Sequence, residues 1–484
     1  MTGRRAPGRA VHAIPKWTIP MPLVMGGVGR AWLAAVLFLA VDALHGDDVG
    51  ALLSSTPHEV VTILGPTPTN DGRKLVDLTL ETHGRKLILA LTRHDEIFHA
   101  DYEHIVYGAD GTVLERAPLE GHCIYRGHVF AADDAEHSEE LGNAMLSVCG
   151  GVVEGRFNFD GHELYVAPHP QNALPHVVFH HEHWAKSTGA DGWTCGVEDA
   201  GDLTPHFTHA HAATPAPSGE EHAQAHAHAA APALSGEERG GGAAAEIGRR
   251  RLGGTPGNTN KYVEMLIVND YARCSAFTAQ GKTLSEMATR SAAIMAVVDS
   301  WYYGGYTGSP NFDFNYRFTI ISMVSFAHGD PYTATTTNGG TEVDVDSLLA
   351  KFQEWRVAAT SAGEIPSNDA GHLFSGDNFD GSTVGYAGVQ ALCRGSMSTG
   401  INQAGVSKTD AQTAAIVAHE FGHNVGMRHT NTVSAGSGVP SSCYDTNNPH
   451  IMDPSTSSTP ATTWTACSKA WMNDFLNNWC VALL

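Results

Sequence analysis

The stretch HEFGHNVGMRH, His419 to His429, combines H-E-x-x-H with a further x-x-G-x-x-H. On an α-helix His419 and His423 stand one turn apart on one face, where two imidazoles can hold one Zn²⁺. Glu420 lies beside the first ligand, placed to act as a general base. Gly426 lets the chain leave the helix through a conformation a side chain resists, which returns His429 as a third ligand. Three neutral imidazoles leave one coordination position open, as a catalytic zinc requires. The chain has 28 histidines and 52 glycines among 484 residues. At that usage, and with about one Glu in twenty, a chance match arises in roughly one such chain in two thousand. The bland reading, a helix of solvated histidines ending in a glycine cap, is therefore the weaker one.

These residues need a scaffold, and the sequence from Lys261 onward supplies one. TDAQTAAIVAHEFGHNV predicts the helix that carries the ligands, with Thr409 as its N-cap. KYVEMLIVND and YRFTIISMVSF read as strands, and GSTVGYAGVQALC as a further strand. KTLSEMATRSAAIMAVVDSWYY (Lys282 to Tyr303) has helical spacing through Leu284, Met287, Ile294 and Val298. VDVDSLLAKFQEWR puts Leu348, Leu349 and Phe352 on one helical face. CSKAWMNDFLNNWCVALL closes the chain with Trp471, Phe475 and Trp479 on one side. Strands alternating with helices predict an α/β sheet domain over residues 260–484.

The region before it reads differently. Residues 44–202 predict a β-rich domain. LVDLTLETHGRKLILALTRH alternates apolar and polar residues about a His83-Gly84 turn. CIYRGHVF, AMLSVCGGVVEGRFNF and ELYVAP continue the pattern. Residues 203–259 are rich in Ala, Pro and His, with too few large apolar residues for a core, and predict a flexible linker. Its histidines at 206, 209, 211, 222, 226 and 228 could bind metal, although a solvated low-complexity segment is the stronger reading. Arg249-Arg250-Arg251 offers a processing protease an exposed basic site.

At the N-terminus, basic residues precede the apolar run AWLAAVLFLAV, Ala31 to Val41. That pattern predicts a signal peptide over residues 1–43, cut near Ala43, with an uncleaved anchor as the alternative. Export, a soluble mature protein and no later membrane span follow as expectations. A net charge of −22 argues against nucleic acid as a partner. The eight cysteines include no C-x-x-C pair, so in an exported chain they read as disulfides rather than a cysteine metal site. No N-x-[ST] sequon is present, so N-glycosylation is not expected.

The extended histidine pattern, followed by Ile451-Met452-Asp453, resembles the metzincin clan of zinc proteases. In that clan a Met-turn packs under the imidazoles, and Met452 matches it. In detail the chain resembles the reprolysin, or ADAM-type, branch. KYVEMLIVND is similar to that family's first strand and LLAKFQEWR to its second helix. HLFSGDNFDGSTVGYAGVQALC is similar to the segment leading to its substrate-binding edge strand, and CSKAWMNDFLNNWC to its final helix. HCIYRGHV and AMLSVCGGVVEGRF resemble its propeptide. Two positions depart from the pattern. Thr430 follows the third histidine, where the family usually has Asp, and His450 precedes Ile-Met, where it usually has Cys.

The resemblance implies a mixed, twisted sheet with a long active-site helix, and a secreted zinc metalloendopeptidase made as a latent zymogen. It implies His419, His423 and His429 as zinc ligands and Glu420 as catalytic base. It implies the disulfides Cys393–Cys480, Cys443–Cys467 and Cys123–Cys149. It implies a Ca²⁺ site at Glu264 and Asp369, for which two plain surface acids are an equally open reading. It also implies that Cys195, in GWTCGV, is a latency switch whose thiolate occupies the zinc's fourth position. A Cys195–Cys274 disulfide, or a plain thiol, is the alternative. Protein or peptide substrates are expected to lie along the strand near Gly385 to Ala391, held by backbone pairing. Other function classes are an inactive exported binding protein of the same fold, a histidine-rich zinc-sequestering protein, and a protease of another metzincin branch.

Overall fold

The computed structural model describes residues 57–65, 75–118, 121–134, 137–169, 175–180, 193–197, 260–303, 312, 315–406, 408–430, 450–456 and 461–479. The expected signal peptide, the linker with its histidines, the Arg249–Arg251 site, Cys443 and Cys480 lie outside them. Before the linker the strands are β1 (His58–Val61), β2 (Leu75–Thr82), β3 (Arg85–Arg93), β4 (Phe98–Tyr107), β5 (Val113–Pro118), β6 (Ile124–Ala131), β7 (Glu140–Cys149), β8 (Val152–Phe159), β9 (His162–Pro168), β10 (His176–His180) and β11 (Trp193–Cys195). After it come β12 (Asn260–Asn269), α1 (Tyr271–Ala279), α2 (Leu284–Tyr303), β13 (Asn315–Phe326), β14 (Thr336–Thr337), β15 (Glu342–Val343), α3 (Val345–Ser361), β16 (Ala370–Ser375), β17 (Thr383–Ala387), β18 (Thr399–Gln403), α4 (Asp410–Asn424), β19 (Ser455–Thr456) and α5 (Ala466–Trp479).

Eight strands form an antiparallel sheet in the order β1-β10-β9-β8-β7-β6-β3-β2. Its two borders meet where Leu64 and Thr79 exchange backbone hydrogen bonds, so the sheet curls back on itself like a barrel. The alternation read from the sequence is the reason. In β2 every second residue is buried, and Leu78, Leu87, Leu89, Val129, Phe157 and Val178 fill the interior. His83 (φ 50°) and Gly84 (φ 68°) make the predicted turn between β2 and β3, because a two-residue hairpin loop needs positive φ. Cys123 and Cys149 are disulfide-bonded as expected.

The second sheet positions the site. Its order is β19-β11-β17-β18-β16-β12-β13-β4-β5. β13, β12, β16 and β18 run parallel, and β17 returns antiparallel to β18. Parallel strands are covered on both faces and so read as continuous apolar runs. Accordingly, Met265 and Ile267 of β12 face a core shared with α2 and α4. Leu266 and Val268 face Leu348, Leu349 and Phe352 of α3. The alternating strand and helix order is thus the expected α/β domain.

Three strands of this sheet come from before the linker. β4 pairs parallel to β13, from Glu103 opposite Ser322 to Tyr107 opposite Phe326. β5 pairs with β4 and forms the outer border. Tyr107 is fully buried and meets Phe326 and Trp355 edge-on. Toward the opposite end of β13, Arg317 bridges Asp299 and Glu96, Glu96 also holds Arg126, and His94 lies 3.5 Å from Asp299. β11 enters at the opposite border, between β17 and β19. Among the described residues, no helix is long and apolar enough to cross a membrane.

Candidate metal centre and active site

The ligand helix α4 begins at Thr409, whose hydroxyl accepts the Gln412 amide while the Gln412 side chain accepts the Thr409 amide. This reciprocal cap is worth about 1 kcal/mol. All fifteen residues of α4 are buried. The helix ends at Gly426, whose φ of 86° favours glycine and where a Cβ would stand 2.8 Å from Phe475. Beyond that turn, His429 comes back against the helix. Its Nε2 lies 3.1 Å from that of His419 and 3.2 Å from that of His423, which are themselves 3.1 Å apart.

The rings of His419 and His423 are oriented from behind. His419 Nδ1 donates to the Ile451 carbonyl at 2.6 Å, and His423 Nδ1 to the Met427 carbonyl at 3.0 Å. With their protons on Nδ1, these rings aim Nε2 lone pairs at a common point. Burial, and then the neighbouring imidazoles, push the His423 pKa far below its ordinary value, so a proton does not fill that point. A cation does fit it. Ligands on a tetrahedral zinc stand roughly 3.3–3.6 Å apart, and these nitrogens lie within a few tenths of that.

Cys195 completes the set. Its Sγ is 3.4 Å from His423 Nε2. Among the described residues, Cys195, His419, His423 and His429 are the one group whose donor atoms all lie within 4.8 Å of one another. Backbone pairing brings the cysteine there. Thr194 N–H donates to Ser382 O, Gly196 N–H to Gly385 O and Cys195 N–H to Pro454 O. Cys195 and Cys274 do not bond to each other; Cys274 is buried in α1, and burial pushes its thiol up to about 12. The alternative pairing of these two cysteines is therefore overturned. Glu420 is buried beside the cluster, 3.7 Å from Cys195 Sγ, and burial raises its pKa to about 8.

These features accord with two family comparisons. Residues 261–482 match the reprolysin (M12B) family zinc metalloprotease model, and residues 53–130 match the reprolysin family propeptide model. The chain is a reprolysin with its propeptide. A curated relative, mouse disintegrin and metalloproteinase domain-containing protein 19, is 25% identical over 384 residues, covering 77% of this chain and 34% of that protein. The chain thus spans about a third of that relative's length.

Around the reprolysin centre, Met452 is fully buried, with its sulfur 2.4 Å from where a Cβ on Gly422 would stand. Any side chain at Gly422 would displace the methionine. Gly385 is related: a Cβ there would lie 2.3 Å from Glu420 Oε1, so a bare strand leaves the carboxylate its place. The edge strand forms over Thr383–Ala387, shorter than the 385–391 expected. Residues 388–392 instead turn onto the end of α4, where Gln390 donates to His423 O and Ala391 and Leu392 to Asn424 O. The Asn424 side chain ties back to Gly388 O and Thr399 O.

Sequence reasoning missed the partner of Thr430. This buried residue donates from its hydroxyl to Asp453 Oδ1 at 2.7 Å and from its amide to Met452 O. The acid absent after the third histidine is supplied after the methionine, and Ile451-Met452-Asp453 was the available signal. The expected calcium residues lie together on β12 and before β16. There Asp369 Oδ2 accepts the Glu264 amide at 2.8 Å, and Glu264 Oε1 is 3.7 Å from His99. Cys393 and Cys467 are disulfide-bonded, and their expected partners lie outside the described residues.

Proposed function

We propose that this chain is a secreted zinc metalloendopeptidase made as a latent precursor. His419, His423 and His429 would hold the zinc, which when bound supplies Lewis-acid polarisation of a peptide carbonyl and a nucleophile at neutral pH. Glu420 takes the proton released as the nucleophile attacks and delivers it to the departing amide nitrogen. β17 offers its outer backbone groups to an extended peptide, a mode that positions a chain without demanding sequence. The residues after Met452 form the facing wall. In the precursor, β11 holds that groove and Cys195 stands at the ligand cluster, which supports a thiol latch.

The convergence of three Nε2 atoms beside a buried glutamate carries this reading. An inactive binding protein of the same fold would have no need to keep Glu420 against a bare Gly385. The test uses the full chain, processed at the linker and assayed on a denatured protein with and without a chelator. Chelator-sensitive cleavage is expected, reduced by roughly 10²–10⁴-fold in Glu420→Ala. Cleavage that survives the substitution removes Glu420 from its role.

A further inference from the structure

A second group of imidazoles lies on the barrel rim, away from the catalytic cluster. His83 occupies the β2–β3 turn, His162 begins β9 and His180 ends β10. Their ring centres are 4.8 Å (83 to 180), 5.2 Å (83 to 162) and 5.2 Å (162 to 180) apart. The catalytic trio is spaced at 4.7–5.1 Å. His83 Nε2 faces His180 Nε2 at 2.9 Å.

The hydrogen bonds behind His83 decide its tautomer. The Thr82 hydroxyl donates its one proton to Glu59 Oε2 at 2.7 Å. Its oxygen therefore accepts from His83 Nδ1, 3.0 Å away. Glu59 is itself fixed by the His83 amide at 2.9 Å. His83 thus carries its proton on Nδ1 and points an Nε2 lone pair at His180. A hydroxyl and a carboxylate behind an imidazole are the usual supports of a histidine metal ligand. A proton on His180 Nε2 can satisfy that pair, and the third ring, His162, lies against both imidazoles and against Phe159.

We propose that His83, His162 and His180 form a second site for a borderline divalent ion such as Zn²⁺. Two nitrogens already face each other. The His162 ring must turn about its Cβ–Cγ bond to add a third, and that torsion is soft in a partly exposed imidazole. The ion would join β2–β3 to β9–β10 beside the seam that Leu64 and Thr79 close. Metal supply would then set how firmly the propeptide barrel is held, independently of the catalytic zinc.

The experiment is zinc counting by equilibrium dialysis on the full chain, with His206, His209, His211, His222, His226 and His228 changed to Asn to silence the linker. Two equivalents are expected, falling to one in His83→Ala and in His180→Ala. One equivalent in the parent, or a second that survives both substitutions, overturns the site. Should a variant lose both equivalents through unfolding, the parent decides alone. With one equivalent of Zn²⁺ already in place, added Cu²⁺ should show electron-spin-resonance hyperfine coupling to two or more imidazole nitrogens, and its absence refutes the proposal.

Discussion

The chain before the linker meets the protease sheet at both of its borders, by different means. At the cleft border, β11 contributes a pairing of two residues, Thr194 with Thr383 and Cys195 with Gly385, and a single thiol beside the metal cluster. At the far border, β4 extends the sheet through a long parallel register, a buried tyrosine and an ionic network. The first contact touches the chemistry but buries little; the second buries much but touches no reacting group. On the thiol latch proposed above, blocking the site and holding the blocker are separable tasks.

Substitution at the cleft should produce the largest change. Cys195→Ala should make the uncleaved precursor active on a denatured protein, raising its rate by roughly 10²-fold or more as the vacated position opens. After linker cleavage of the same variant, gel filtration should show the barrel still bound. A precursor as silent as wild type ends the latch assignment, and an active one that sheds its propeptide ends the separation of tasks.

At the far border, Tyr107→Ala deletes an aromatic ring from a packed core and should cost about 3–5 kcal/mol. After linker cleavage, the propeptide should dissociate on gel filtration where wild type stays bound. Unchanged retention would mean that β11, or the packing of Ile124 and Met145 against α2, does the holding.

Acid should weaken the same border. Burial pulls the His94 pKa down to about 4, against the opposing pull of Asp299. The folded precursor keeps this ring neutral, while the unfolded chain protonates near 6.5. Its stabilisation is complete above that value and disappears as pH falls toward 4, up to about 3 kcal/mol. Melting temperatures of wild type and His94→Gln, compared between pH 7 and 4.5, should differ in slope. Parallel curves would show that His94 contributes nothing.

The smallest effect is expected inside the cleft. Thr430→Val removes one hydrogen bond to Asp453 and should cost about 1 kcal/mol, with faster zinc loss to a chelator and little change in KM. An unaltered rate of zinc loss would show that Asp453 does not support the third ligand through Thr430.

Much of this was legible in the sequence because it depends on local rules. The spacing within α4, the Thr409 cap, the Gly426 exit and the alternating strands of the barrel are set by residues within a few positions of one another. Long-range pairing was not. FHADYEHIVY has the composition of a strand, but nothing in it states that its neighbour is β13, more than two hundred residues later. The Thr430–Asp453 exchange was hidden for the same reason, since it joins two segments that only the fold brings together. The shortened β17 reflects competition: the backbone after Ala387 bonds to the end of α4 instead of continuing its ladder.

In the precursor β13 is an interior strand, buried at all twelve positions. A protease freed of its propeptide would turn that strand into a raw border, with amides and carbonyls from Ile320 to Phe326 open to any extended chain. The mature enzyme would then own two adhesive seams, one that cuts and one that only clings.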